Sequence, residues 1–164
     1  LSLQSFSNTS CFGGTNGLAF VSATGGTAPY SFSWFPYGGN SSAAANLSAG
    51  NFTCTVFDAN NCPAQVPVVI AEPGPINISV NSQTQPSCFG GSNGSISITA
   101  TGGSPGYTYA WAPMGGIGST GTNMTSGIYT VTVTDINGCN TAITSLLPQP
   151  NQLVGSMVSK TDPT

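Results

Sequence analysis

The chain has 164 residues, of which 3% are charged, and a formal net charge of −3. One cation and four acids, with no His, exclude a basic footprint for nucleic acid and a polybasic patch for anionic membranes. No apolar run approaches bilayer-spanning length, so no membrane insertion is expected, and the regularly placed aromatic and β-branched residues argue for a folded chain over a disordered one.

The elements follow in order. Ala19, Val21 and Ala23 alternate with polar neighbours, then Tyr30, Phe32 and Trp34, then Phe52, Cys54 and Val56, then Val66, Val68 and Ile70. This period of two predicts half-buried strands. Gly13-Gly14, Asn16-Gly17, Gly25-Gly26, Gly38-Gly39 and Gly50 separate the runs and supply the positive φ angles of tight turns. A leading strand at Ile76, Ile78 and Val80 opens a second series: Ile96, Ile98 and Ala100; Tyr107, Tyr109 and Trp111; Tyr129, Val131 and Val133; Ile143, Ser145 and Leu147. No stretch combines helical period with caps.

The second series is the first displaced by 77 residues without a gap. Cys11-Phe12-Gly13-Gly14 returns as Cys88-Phe89-Gly90-Gly91, Trp34 as Trp111, Asp58 as Asp135 and Cys62 as Cys139. About 40 percent of the positions from Cys11 to Pro73 are identical to their counterparts from Cys88 to Pro150. The expected fold is all-β: two tandem immunoglobulin-like antiparallel β-sandwich modules of roughly six or seven strands, each with one disulfide. Residues 1–73 form the first module and 74–150 the second. The register gives 151–164 as the leading strand of a further repeat, so the chain reads as an internal piece of a longer array. Proline at Glu72-Pro73-Gly74-Pro75 and Pro148-Gln149-Pro150 stiffens the joints.

Cys11 and Cys62 are 51 residues apart, as are Cys88 and Cys139, and both pairs are expected to be disulfides within their modules. Such staples suit a small core and an oxidising, extracellular compartment. The plain alternative is buried thiols, and a tetrahedral metal set is not available from these residues. Cys54 stands where the other repeat has Val131 and reads as a small buried hydrophobe.

Asp58 and Asp135 each open a turn before a cysteine and are expected to structure it with Asn60 and Asn137. A calcium ligand is the sharper alternative, although one carboxylate per turn is little for that ion. Trp34 and Trp111 read as core, with an exposed sugar platform as the minority reading. Sequons at Asn8, Asn40, Asn46, Asn51, Asn77, Asn93 and Asn123 could carry glycans that solvate an uncharged surface. No His, paired carboxylates or activated nucleophile supports catalysis, so no enzyme activity and no cofactor are expected.

The order Cys-Phe-Gly-Gly-x-Asn-Gly, Ala-Thr-Gly-Gly, Tyr-x-(Phe/Tyr)-x-Trp and Gly-x-(Phe/Tyr)-Thr-x-x-Val-x-Asp-x-Asn-x-Cys resembles the SprB repeat of large secreted surface proteins of the Bacteroidota. Cys54, Asn61 and Gly106 depart from the pattern. The resemblance implies export to the cell surface through the type IX route and a role in adhesion, in some members gliding motility. The resulting expectation is a structural segment of an extracellular adhesin or filament, with a carbohydrate-binding module as the alternative. Expected partners are neighbouring repeats, further copies in a filament and surface glycans.

Overall fold

The computed structural model describes residues 1–157. Among them lie twelve strands and no helix. The first half contributes β1 (Ser2–Ser7), β2 (Gly17–Ser22), β3 (Ser31–Phe35), β4 (Ala43–Leu47), β5 (Gly50–Phe57) and β6 (Pro63–Ile70). The second half repeats them as β7 (Asn77–Thr84), β8 (Gly94–Thr101), β9 (Thr108–Ala112), β10 (Thr120–Met124), β11 (Gly127–Thr134) and β12 (Asn140–Leu147).

Each half forms two three-stranded antiparallel sheets, ordered β1-β2-β4 and β3-β5-β6, then β7-β8-β10 and β9-β11-β12. The alternation seen in the sequence is the alternation of the pleat. Phe52, Cys54 and Val56 point inward from β5, as Tyr129, Val131 and Val133 do from β11. In the first half Ala19, Val21, Ala44 and Leu47 from one sheet meet Trp34, Phe52, Val68 and Ile70 from the other, which makes the fold a β-sandwich.

β4 and β10 have no period-two signature. The strand Ala43–Leu47 buries only Ala44 and Leu47, and both strands pair with their neighbours through shifted registers. Asn46 and Asn123 adopt a positive φ of 56° there, so alternation cannot reveal these strands.

Two compact units result. The first comprises Leu1–Ile76 with Gly102–Pro105 and Asp135–Cys139; the second comprises Asn77–Thr101, Gly106–Thr134 and the residues from Asn140 onward. Two turns of the second sequence repeat therefore belong to the first unit. Residues 151–157 form no strand, and the rest of the leading strand expected at 151–164 lies outside the described residues.

The expected disulfide pairing is corrected. Cys11 is bonded to Cys139, with 5.7 Å between their Cα atoms, while Cys62 and Cys88 are free and exposed. Topology explains why Cys11 does not reach Cys62. β1 and β2 meet at Ser7 and Leu18, which places Cys11 at one end of the first sandwich. That end also holds the last residues of β6, where Thr9 N donates to Ala71 O. Cys62 sits in the β5–β6 turn, at the start of the eight-residue strand β6, about 25 Å away along that strand. A disulfide needs Cα atoms within about 7 Å.

Candidate functional site

The most ordered polar feature is the aspartate turn, present in both repeats. Asp58 Oδ1 accepts from the amides of Asn60 and Cys62, both at 2.9 Å, and Oδ2 accepts from Thr27 N at 3.1 Å. Asp135 Oδ1 likewise accepts from Asn137 N and Cys139 N at 2.9 Å, and Oδ2 from Ser104 N at 2.9 Å. Gly26 and Gly103 allow this approach. They take positive φ of 64° and 56°, and a Cβ on either would stand 2.8 Å from the carboxylate. Asn60 Nδ2 ties the turn to Thr27 Oγ1, and Asn137 Nδ2 ties its own to Ser104 Oγ.

Each carboxylate is thus ringed by amide hydrogens, which would repel a calcium ion. Among the described residues no group of three His, Cys, Asp or Glu could hold a metal. The same donors hold both acids below the ordinary carboxylate range, chiefly the Cys62 amide at Asp58 and the Ser104 amide at Asp135. Because the folded values are depressed, this stabilisation is present above the usual Asp pKa of about 3.9 and is lost as pH falls through the folded values. The melting temperature should therefore hold steady from neutral pH to about 5 and fall below about 4. Asp58→Asn together with Asp135→Asn should lower it at pH 7 and flatten the acid limb. An acid limb of unchanged steepness in that variant would show that other groups control it.

The second recurrent feature is the cysteine loop. Asn16 Oδ1 accepts from Ser10 N and its Nδ2 donates to Ser10 Oγ; Asn93 does the same with Ser87. Gly14 N donates to Cys11 O, and Gly91 N to Cys88 O. Glu72 Oε2 accepts from Gly13 N, and Gln149 Oε1 accepts from Gly90 N. Sequence reasoning missed these anchors. Their signal is the recurrence at 77 residues of an amide at Asn16 and Asn93, and of a side-chain acceptor at Glu72 and Gln149.

The bonded pair Cys11 and Cys139 lies within the first unit, where Asn137 Nδ2 also donates to Ser10 O at 3.2 Å. Cys54 is fully buried, and that burial pushes its thiol pKa up, as for a core residue with no reactive role. Trp34 and Trp111 are buried and donate through Nε1 to Ser41 O and Gly118 O, both at 2.9 Å, so neither ring is a sugar platform. The sequon residues Asn8, Asn40, Asn46, Asn51, Asn77, Asn93 and Asn123 are all exposed. Asn8 Oδ1 accepts from Ala71 N, and Asn93 braces its cysteine loop.

Comparison with known proteins agrees with this geometry. The family model described as SprB repeat matches residues 3–39 and 80–116, two segments in the 77-residue register. The three N-terminal domains of the bacteriophage RB49 Highly Immunogenic Outer Capsid protein (Hoc) superpose with a TM-score of 0.52 at 15% identity, covering 88% of this chain and 57% of that one. The chain thus spans little more than half of that structure. The amphioxus IgVJ-C2 molecule aligns at 14% identity with a TM-score of 0.37, over 82% of this chain and 96% of its own. No curated protein sequence matches the chain. The same segment is matched once in each half, so the chain carries two segments of the SprB-repeat family.

Proposed function

We propose that the chain is a non-enzymatic structural segment of a secreted cell-surface adhesin, giving reach and contact area outside the cell. The observation that carries this reading is the SprB match repeated in register at 3–39 and 80–116. The physical chemistry supports it. None of the twelve strands carries a charged side chain, so the edges of the sheets lack the Lys residues that usually discourage lateral pairing. A disulfide is characteristic of proteins that leave the cytosol. Antibody raised to this chain should label intact cells of the source organism and lose that label after protease shaving. Labelling that requires permeabilised cells would overturn the surface assignment.

A carbohydrate-binding role is the second reading, favoured by Phe35, the last residue of β3, which is 74% exposed. Nearby Tyr37 is held by packing edge-on against Phe52 at 5.1 Å and by a hydroxyl contact with Ser48. If this reading holds, the chain binds specific members of a glycan array and Phe35→Ala removes that binding. A blank array eliminates it.

A further inference from the structure

We infer that Cys62 and Cys88 are the two unfilled halves of the crosslink already made by Cys11 and Cys139, each shaped to bond the matching cysteine of a further repeat of this kind, such as the one that a second copy of this chain supplies when joined head to tail. The sequence repeat makes the correspondence explicit: Cys11 moved by 77 residues is Cys88, and Cys139 moved back by 77 is Cys62.

The formed joint shows what each half requires. The turns 102–105 and 135–139 meet two stretches of the first unit, Gly74–Ile76 through Gly102 and Gly103, and Ser10–Cys11 through Asn137 and Cys139. Gly103 N donates to Gly74 O at 2.9 Å, and Asn137 Nδ2 donates to Ser10 O. The approach is close enough that a Cβ on Gly102 would stand 1.9 Å from Pro75 O, and one on Gly103 would stand 2.7 Å from Ile76 Cγ1.

Each half recurs open. The strip around Cys11 corresponds to Ser87, Cys88, Asn151, Gln152 and Leu153, and these residues line a pocket. Ile76 is partly buried, whereas its counterpart Leu153 is 96% exposed. The incoming turns correspond to Gly25, Gly26, Asp58 and Cys62, and these line a second pocket. Both free halves already hold the bonded shape. The Cys88 loop has the Asn93 brace and Gly91 N to Cys88 O bond of the Cys11 loop, and the Cys62 turn has the Asp58 bonds of the Cys139 turn. As in the formed joint, the two halves are different surfaces, so association through them is heterologous and open-ended.

The chemistry is thiol–disulfide exchange. The Cys88 thiolate attacks a small-molecule disulfide, releasing one thiol and forming a mixed disulfide; the Cys62 thiolate of the second copy then attacks the Cys88 sulfur and releases the other thiol. Two protein thiols are oxidised and one small disulfide is reduced to two thiols.

The test uses the whole chain in a buffer of oxidised and reduced glutathione, read on non-reducing gels with peptide mass mapping. The wild type should form a reducible ladder whose linking peptide joins Cys62 to Cys88. Cys62→Ser alone and Cys88→Ser alone should remain monomeric, and their equimolar mixture should yield one crosslinked dimer, at least tenfold more abundant than in either variant alone. Both cysteines are exposed, so both variants should melt with the wild type. Homodimers of either variant as abundant as the mixed dimer, or a mixture that stays monomeric, would overturn the inference. The result is independent of adhesion, since a chain that fails to crosslink can still label at the cell surface.

Discussion

Serine at Cys11 or Cys139 is expected to lower the unfolding free energy of the first unit by about 3–5 kcal/mol, whereas serine at Cys62 should change it by less than about 0.5 kcal/mol. The bond joins residues 128 apart, and closing a loop of that size removes more chain entropy from the unfolded state than a 51-residue loop would. The contrast between the two sites carries the information. A staple within each module requires Cys62→Ser to be as damaging as Cys11→Ser; the observed pairing makes Cys62 neutral. Denaturant titration with and without reductant checks this, because reductant should reproduce the Cys11→Ser curve in the wild type and leave the Cys11→Ser variant unmoved. Thiol counting gives a second reading. Among Cys54, Cys62 and Cys88, two thiols should react at once in the native protein and the buried Cys54 only on unfolding.

The pairing is where the sequence was least legible, and the reason is topological. Four strands, β2 to β5, lie between Cys11 and Cys62. If every connection simply reversed direction, the four passes would return the chain to the end it started from, and the pair would meet. The connection 36–42 does not simply reverse. β3 runs toward the end that holds Cys11, as its pairing of Phe35 with Thr53 shows. β4 runs the same way, from Ala43 opposite Phe20 to Leu47 opposite Gly17. The intervening segment therefore doubles back, and the β5–β6 turn emerges at the opposite end. Its seven residues, Pro36-Tyr37-Gly38-Gly39-Asn40-Ser41-Ser42, are more than a two-residue hairpin needs, and that length was the available signal.

Other features were legible because they are local. Period two places Val131 and Cys54 inward whatever the connections do, and the Asp-x-Asn turn needs only its own amides and one loop amide. What local pattern cannot show is which loops of one repeat fold with the other. Gly102–Pro105 and Asp135–Cys139 belong to the first unit through a few bonds and one disulfide, without any change in residue type to announce it. The 77-residue offset does contain this information, but as a relation between repeats and not within one.

Replacing Trp34 by Ala is expected to cost about 3–5 kcal/mol in the first unit, comparable with loss of the disulfide but acting through the folded state. Trp34 is 5% exposed and packs where both sheets supply side chains. Its backbone N–H bonds to Gly39 O and its indole to Ser41 O, so the ring also holds the doubled-back segment in place. Gly38 lies against it so closely that a Cβ there would stand 2.9 Å from the Trp34 Cβ. Trp34→Phe separates the two contributions. It keeps most of the apolar burial but leaves Ser41 O without its indole donor, and should cost about 1–3 kcal/mol. Amide hydrogen exchange distinguishes the mechanisms further. Trp34→Ala should accelerate exchange at Val21, whose amide donates to Ser42 O, before global unfolding does. Cys11→Ser, by contrast, should raise exchange across the unit in step with its loss of stability. Equal exchange profiles for the two variants would mean that the indole does not organise residues 36–42, and that the path taken by this segment rests on Gly38 and the turn itself.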